Sequence, residues 1–105
     1  MSETFTKVIE LVETRDLRVS THGYKRLVTK SIPLSRLTTG IRTAEVIEDY
    51  PDYHAGPAVL VLYTAAPALH AMWGIEKGTD RPAVLVTAYW PEPGLWSADF
   101  RSRKP

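Results

Sequence analysis

Three histidines, with the hydroxyl and guanidinium groups spaced around them, are the residues of this chain best equipped for chemistry. His70 lies in the run Leu69-His70-Ala71-Met72-Trp73-Gly74-Ile75-Glu76, and Thr87 and Tyr89 lie in Ala83-Val84-Leu85-Val86-Thr87-Ala88-Tyr89-Trp90. Both runs are apolar and rich in β-branched or aromatic residues, so both read as strands. Side chains alternate across a sheet, which puts Leu69, Ala71, Trp73 and Ile75 on one face and Val84, Val86, Ala88 and Trp90 on one face. Pairing these two apolar sets in an antiparallel hairpin places His70 opposite Tyr89 and Met72 opposite Thr87. His70, Thr87 and Tyr89 then share the other face, directed to solvent or to a ligand. Imidazole exchanges protons near neutrality, and a neighbouring Tyr or Thr hydroxyl can orient a phosphate. Such a group supports general acid–base cleavage, and a cross-strand His–Tyr pair is also an ordinary feature of a sheet surface.

His22 opens a second constellation. Arg26 follows it at i+4, so the two share one helical face and together offer a base and a phosphate-binding cation. The structural alternative is a helix-opening imidazole satisfied by backbone. His54 stands in the loop Asp49-Tyr50-Pro51-Asp52-Tyr53-His54-Ala55-Gly56-Pro57 and is expected to be exposed. Three scattered histidines without neighbouring His or carboxylate ligands make no zinc motif, and thiolate sites are excluded because there is no cysteine. Neither a Gly-rich phosphate loop nor a G-x-S-x-G element is present, and no cofactor is implied.

The elements that must position these groups follow from periodicity. Phe5, Val8, Ile9 and Val12 form one stripe of a helix over residues 3–14, capped by Ser2 or Thr4. Leu17 to Ser20 alternates as an edge strand. A second helix is expected over about 22–30, burying Tyr24, Leu27 and Val28 and leaving Lys25, Arg26 and Lys30 outside. Pro33 stops it, and a third short helix runs from Leu34 to Thr39, ending at Gly40. Ala44 to Glu48 suits either an extension of that helix or a short strand, and Gly40, placed where a helix stops, favours the strand. The tyrosine-rich loop at 49–57 is the segment suited to act as a flap. Strands Ala58 to Tyr63, Leu69 to Glu76 and Ala83 to Trp90 then form a C-terminal three-stranded meander. Together these elements predict a single α+β domain over 1–105, with short N-terminal helices on one face of an antiparallel sheet. Its ordered core is expected over 3–96, with Leu95 and Trp96 tucked against the body and a flexible tail at 101–105.

Charge is segregated on a chain of net charge +1. Arg15, Arg18, Lys25, Arg26, Lys30, Arg36 and Arg42 face a single acid between them, Asp16, whereas Glu45 to Asp52 holds acids alone. Arg101, Arg103 and Lys104 close the chain. Such patches suit an anionic ligand even on a nearly neutral protein. No apolar run approaches the roughly 20 residues of a membrane span, and the first residues lack the pattern of a secretory signal, so a cytoplasmic location is expected.

Several stretches carry a family likeness: Arg18-Val19-Ser20-Thr21-His22-Gly23-Tyr24, Ala44 to Tyr53, Gly56 to Leu62, His70 to Ile75, and Val84 to Pro93 with Trp96 following. They resemble bacterial domain-of-unknown-function family 4258, whose members are similar to RelE-like and MqsR-like toxins, small α+β ribonucleases of the barnase–EndoU–colicin–RelE type. The resemblance implies metal-independent RNA cleavage in which the ribose 2′-hydroxyl attacks the adjacent phosphate. It carries the catalytic roles to His22, His70, Thr87 and Tyr89. RNA phosphates would fall to Arg26, which retains an H-x-x-x-R pattern with His22, and to Lys25, Arg81 and Arg101. A zinc-finger antitoxin is the implied partner. A non-catalytic protein-binding module and a structural homo-oligomer are the competing functions, and the chain is less basic than well-known interferases.

Overall fold

A computed structural model describes residues 2–105. The chain runs α1 (Glu3–Glu13), β1 (Leu17–Val19), α2 (Thr21–Thr29), α3 (Leu34–Thr39), a 3-10 turn (Ile41–Thr43), β2 (Glu45–Tyr50), β3 (Ala58–Tyr63), β4 (Leu69–Ile75) and β5 (Ala83–Tyr89). The five strands form one sheet of order β1-β5-β4-β3-β2. β2 to β5 make a four-stranded antiparallel meander, and β1 joins the edge of β5 in parallel. The sheet is therefore mixed, not the antiparallel sheet with a three-stranded meander expected from the sequence, because the chain returns through α2, α3 and β2–β4 before β5 lies beside β1.

Sequence periodicity explains how the helices attach. In α1, Ser2 caps the first turn by accepting from the Phe5 amide at 3.1 Å. Phe5, Val8 and Val12 are buried in one cluster with Val59 and Val61 of β3, Ala71 and Trp73 of β4, and Leu85 of β5. Removing such side chains from water contributes about 1.5–3 kcal/mol each. The buried Trp73 indole donates to the Tyr63 hydroxyl at 3.0 Å, and that hydroxyl donates to the Leu37 carbonyl at 2.8 Å, so α3 is pinned to the sheet without an orphaned polar atom.

Two expectations about side-chain direction are corrected. The His70–Tyr89, Ala71–Ala88 and Met72–Thr87 pairs form as expected, but the pairing then shifts to Trp73–Leu85, Gly74–Val84 and Ile75–Ala83. Val86 is the extra residue of a β-bulge. Beyond it the alternation of β5 inverts, so Ala83 and Leu85 enter the helix-side core and Val84 turns to the far face. In α2, Tyr24 is 63% and Val28 59% exposed, whereas Gly23 is buried. The inward side is set by Gly23, where a Cβ would stand 2.7 Å from the Leu85 carbonyl oxygen. The helix therefore approaches β5 through its glycine, with Leu27 packed on the core, rather than through its aromatic and β-branched residues.

The C-terminal segment lies across the far face of the sheet. Trp96 is 4% exposed and Leu95 is exposed. Trp96 bridges to Arg103, and Arg101 and Arg103 each make two-point contacts with carboxylates of β2, Glu45 and Glu48. Composition alone favours mobility for this tail. Its docking depends on side chains more than fifty residues away in the chain.

Candidate functional site

The far face is laid out in rows set by strand register. Glu45, Leu62, His70 and Tyr89 form one row, and Glu48, Leu60, Met72 and Thr87 the next. Tyr50, Ala58, Gly74, Val84 and Arg18 form a third, crossing all five strands. On β3 and β4 successive rows are two residues apart, or about 7 Å, whereas the bulges make the step three residues from Glu45 to Glu48 on β2 and from Thr87 to Val84 on β5.

α2 delivers His22 to the end of the Thr87 row. The Ser20 amide donates to the Leu85 carbonyl at 3.0 Å, and the Ser20 hydroxyl donates to the Val86 carbonyl at 3.0 Å while accepting from the Gly23 amide at 2.9 Å. The cap of α2 is thus tied to β5 at the bulge. His22 Nε2 lies 3.2 Å from the Thr87 hydroxyl oxygen, and Arg26 Nε donates to the same nitrogen at 3.4 Å. A guanidinium has no acceptor, so the Nε2 lone pair faces Arg26, Thr87 donates to it, and the ring proton sits on Nδ1. This is an exposed imidazole with its basic nitrogen beside a cation and a hydroxyl. Among the described residues, neither Arg26 nor Lys25 has a carboxylate in ion-pair range.

His70 has a different environment. It is fully buried, its ring edge-on to Trp96 at 4.3 Å between centroids. Nε2 lies 2.9 Å from the Phe100 carbonyl oxygen and Nδ1 lies 3.2 Å from the Tyr89 hydroxyl. A carbonyl only accepts, so Nε2 carries the proton and Nδ1 accepts from Tyr89. Burial holds the His70 pKa below its ordinary value, and burial raises that of Tyr89. Both ring nitrogens are thus committed within the protein.

Thr87 and Tyr89 point to the same face of β5, so they link the exposed His22 to the buried His70. Arg81 and Arg101 stand apart from this group. Arg81 pairs with Asp16 at 2.6 and 3.0 Å, and Arg101 pairs with Glu45 at 2.9 Å through two nitrogens. Lys25 is exposed on α2, and His54 is exposed on the 49–57 loop.

Glu48, Tyr50, Arg103 and Arg18 also lie at this face and were not foreseen as site residues. Hydrogen bonding from Arg103 holds the Glu48 pKa below the usual carboxylate range, and the Tyr50 hydroxyl donates to the same carboxylate and has a raised pKa. Arg103 stacks over Trp96 at 4.7 Å from the ring centroid. The strand alternation of Glu48 and Tyr50 was the available signal. The docking of Arg103 left none in the local sequence. Among the described residues, no three His, Asp or Glu side chains converge to hold a metal ion, and no helix is long and apolar enough to cross a membrane.

Residues 19–90 match the model of a family described as Domain of unknown function (DUF4258). That match spans well over half of the chain, and the chain belongs to this family. Neither a curated protein nor a solved structure matches it.

Proposed function

We propose that this DUF4258 chain is a metal-independent endoribonuclease of the RelE-like bacterial toxin type, acting in the cytoplasm on single-stranded RNA. The observation that carries the reading is the exposed His22 imidazole, whose Nε2 faces Arg26 and Thr87. With RNA bound, Nε2 takes the proton of a ribose 2′-hydroxyl, whose oxygen attacks the adjacent phosphorus. Arg26 Nε and the Thr87 hydroxyl turn to the phosphate oxygens and stabilise the added charge. The P–O5′ bond breaks, and the departing 5′-oxygen receives the proton from His22, leaving a 2′,3′-cyclic phosphate. One imidazole then serves as base and acid, a role worth about 10²–10⁴ in rate. His70 has no free nitrogen for this work, so its part is to hold Tyr89 in place. Lys25 adds to the local field that collects phosphates, and Arg81 and Arg101 serve the fold.

Expression of wild type should arrest growth and cleave transcripts, and His22→Ala should abolish both while leaving the melting temperature unchanged. Intact transcripts and 2′,3′-cyclic ends that fail to accumulate on wild-type expression would overturn the reading.

One observation favours a second function, a non-catalytic binding module. The exposed Tyr24 and Val28 lie one helical turn apart on α2, flanked by Lys25. An acidic partner such as an antitoxin would cover them, and its affinity would fall as salt rises.

A further inference from the structure

We propose that the depression over Ala58, Gly74 and Val84 is a nucleobase subsite, seating the base of a nucleotide whose phosphate is held by Arg18. Its identification as an RNA subsite rests on the nuclease reading above. The row that crosses the sheet here runs Tyr50, Ala58, Gly74, Val84 and Arg18. Ala58 and Gly74 carry the smallest side chains of the row, so the surface sinks there, with the cation of Arg18 at the end of the row. The resulting pocket has a volume of about 230 Å³ and is lined by Arg18, Tyr53, Ala58, Gly74, Val84 and Val86, with Tyr53 as its aromatic wall. That is below the about 300–1,000 Å³ of drug-sized ligand sites, and it suits one planar ring system.

The walls are built in advance of any ligand. Gly56 has φ of 126° and a Cβ there would lie 2.1 Å from the Ile75 carbonyl oxygen, so the 49–57 loop closes tightly on the end of β4. The Gly56 amide donates to the Tyr53 carbonyl at 3.0 Å, and the Lys77 amide donates to the Ala55 carbonyl at 3.0 Å. Tyr53 is held at the rim, 40% exposed, with its ring against His54 at 4.4 Å. Aromatic faces of this kind stack on bases with little sequence preference. Arg18 is only loosely engaged, by Glu76 at 3.5 Å, and both side chains are more than half exposed. An exposed pair of that kind gives way readily to a phosphate group. On β3 and β4 the pocket row lies two residues, or about 7 Å, from the row of Leu60 and Met72 that continues to Thr87 and His22, so the pocket and His22 lie on the same face.

The test is amide-resolved NMR of the full chain titrated with AMP, adenosine and ribose 5-phosphate. AMP and adenosine should shift the amides of Gly56, Gly74 and Val84, and ribose 5-phosphate should not. Tyr53→Ala should weaken AMP about tenfold, Tyr53→Phe should restore it, and Arg18→Ala should weaken AMP while sparing adenosine. Ala55→Trp, a change on an exposed rim residue, should close the pocket to both. Absent shifts with millimolar AMP, equal shifts with ribose 5-phosphate, or indifference to Tyr53→Ala would refute the subsite. AMP binding by a chain that leaves RNA intact keeps the subsite and removes the nuclease, whereas RNA cleavage without AMP binding does the reverse.

Discussion

His22 and His70 occupy neighbouring rows of one sheet face, and solvent exposure divides their roles. His22 is exposed, so His22→Ala should change the urea midpoint little, within about 0.5 kcal/mol, while removing RNA cleavage. His70→Ala should cost about 2–4 kcal/mol in the same unfolding measurement, because it leaves a cavity, the Tyr89 hydroxyl and the Phe100 carbonyl without a partner. A His70→Ala protein as stable as wild type would contradict this assignment. Acidity gives a second measurement. The folded chain keeps His70 neutral with a pKa below its ordinary 6.5, under Trp96 and facing Glu48, Arg103 and Tyr89. Below pH 6.5 the unfolded chain therefore binds more protons, and stability falls as pH falls towards the folded value. Urea unfolding from about pH 7 to pH 5 should show this loss, and His70→Asn should flatten it. Glu48, with its pKa lowered by Arg103, adds a further loss only below 4.5.

At the scale of elements, the joint between β1, α2 and the β5 bulge places the candidate site. Ser20 caps α2 and bonds the bulge carbonyl with the same hydroxyl, so Ser20→Ala removes two contacts at once. The expected cost is about 1–2 kcal/mol by thermal unfolding, with movement of the His22 ring signals in NMR and reduced cleavage. Unmoved His22 signals would show that another contact places the helix. The strands, the first helix and the third helix were legible because hydrophobic periodicity reports burial directly. The buried side of α2 was not legible from Tyr24 and Val28. Its true marker was Gly23, a glycine inside a helix that admits a strand carbonyl within reach of where a Cβ would be. The bulge at Val86 was equally hidden, since Val84, Val86, Ala88 and Trp90 alternate without interruption in sequence.

For the whole molecule, the C-terminal segment closes the far face over His70 while leaving the Arg18–Tyr50 row open. Its hold combines the buried Trp96 with ion pairs at the surface, Arg101 to Glu45 and Arg103 to Glu48. Surface pairs are screened by salt, and the Trp96 contact is not. The double variant Arg101→Ala and Arg103→Ala should raise hydrogen exchange at the amides of residues 97–104 and lower the thermal midpoint, with wild type moving in the same direction at high salt. Unchanged exchange in both would assign the docking to Trp96 alone.

Sequence by itself determined the element types, the His70–Tyr89 and Met72–Thr87 pairs, and membership of a sheet with helices against it. These are local or nearest-neighbour properties, set by alternation, helical spacing and turn residues. Tertiary structure alone decided which histidine meets solvent, where the bulge inverts β5, and which cations remain without a carboxylate. Each of those depends on groups distant in sequence: Phe100 and Trp96 on His70, Ser20 on Val86, Asp16 on Arg81. Burial and pairing across such separations leave no periodic trace in the chain, so only the folded arrangement reveals them.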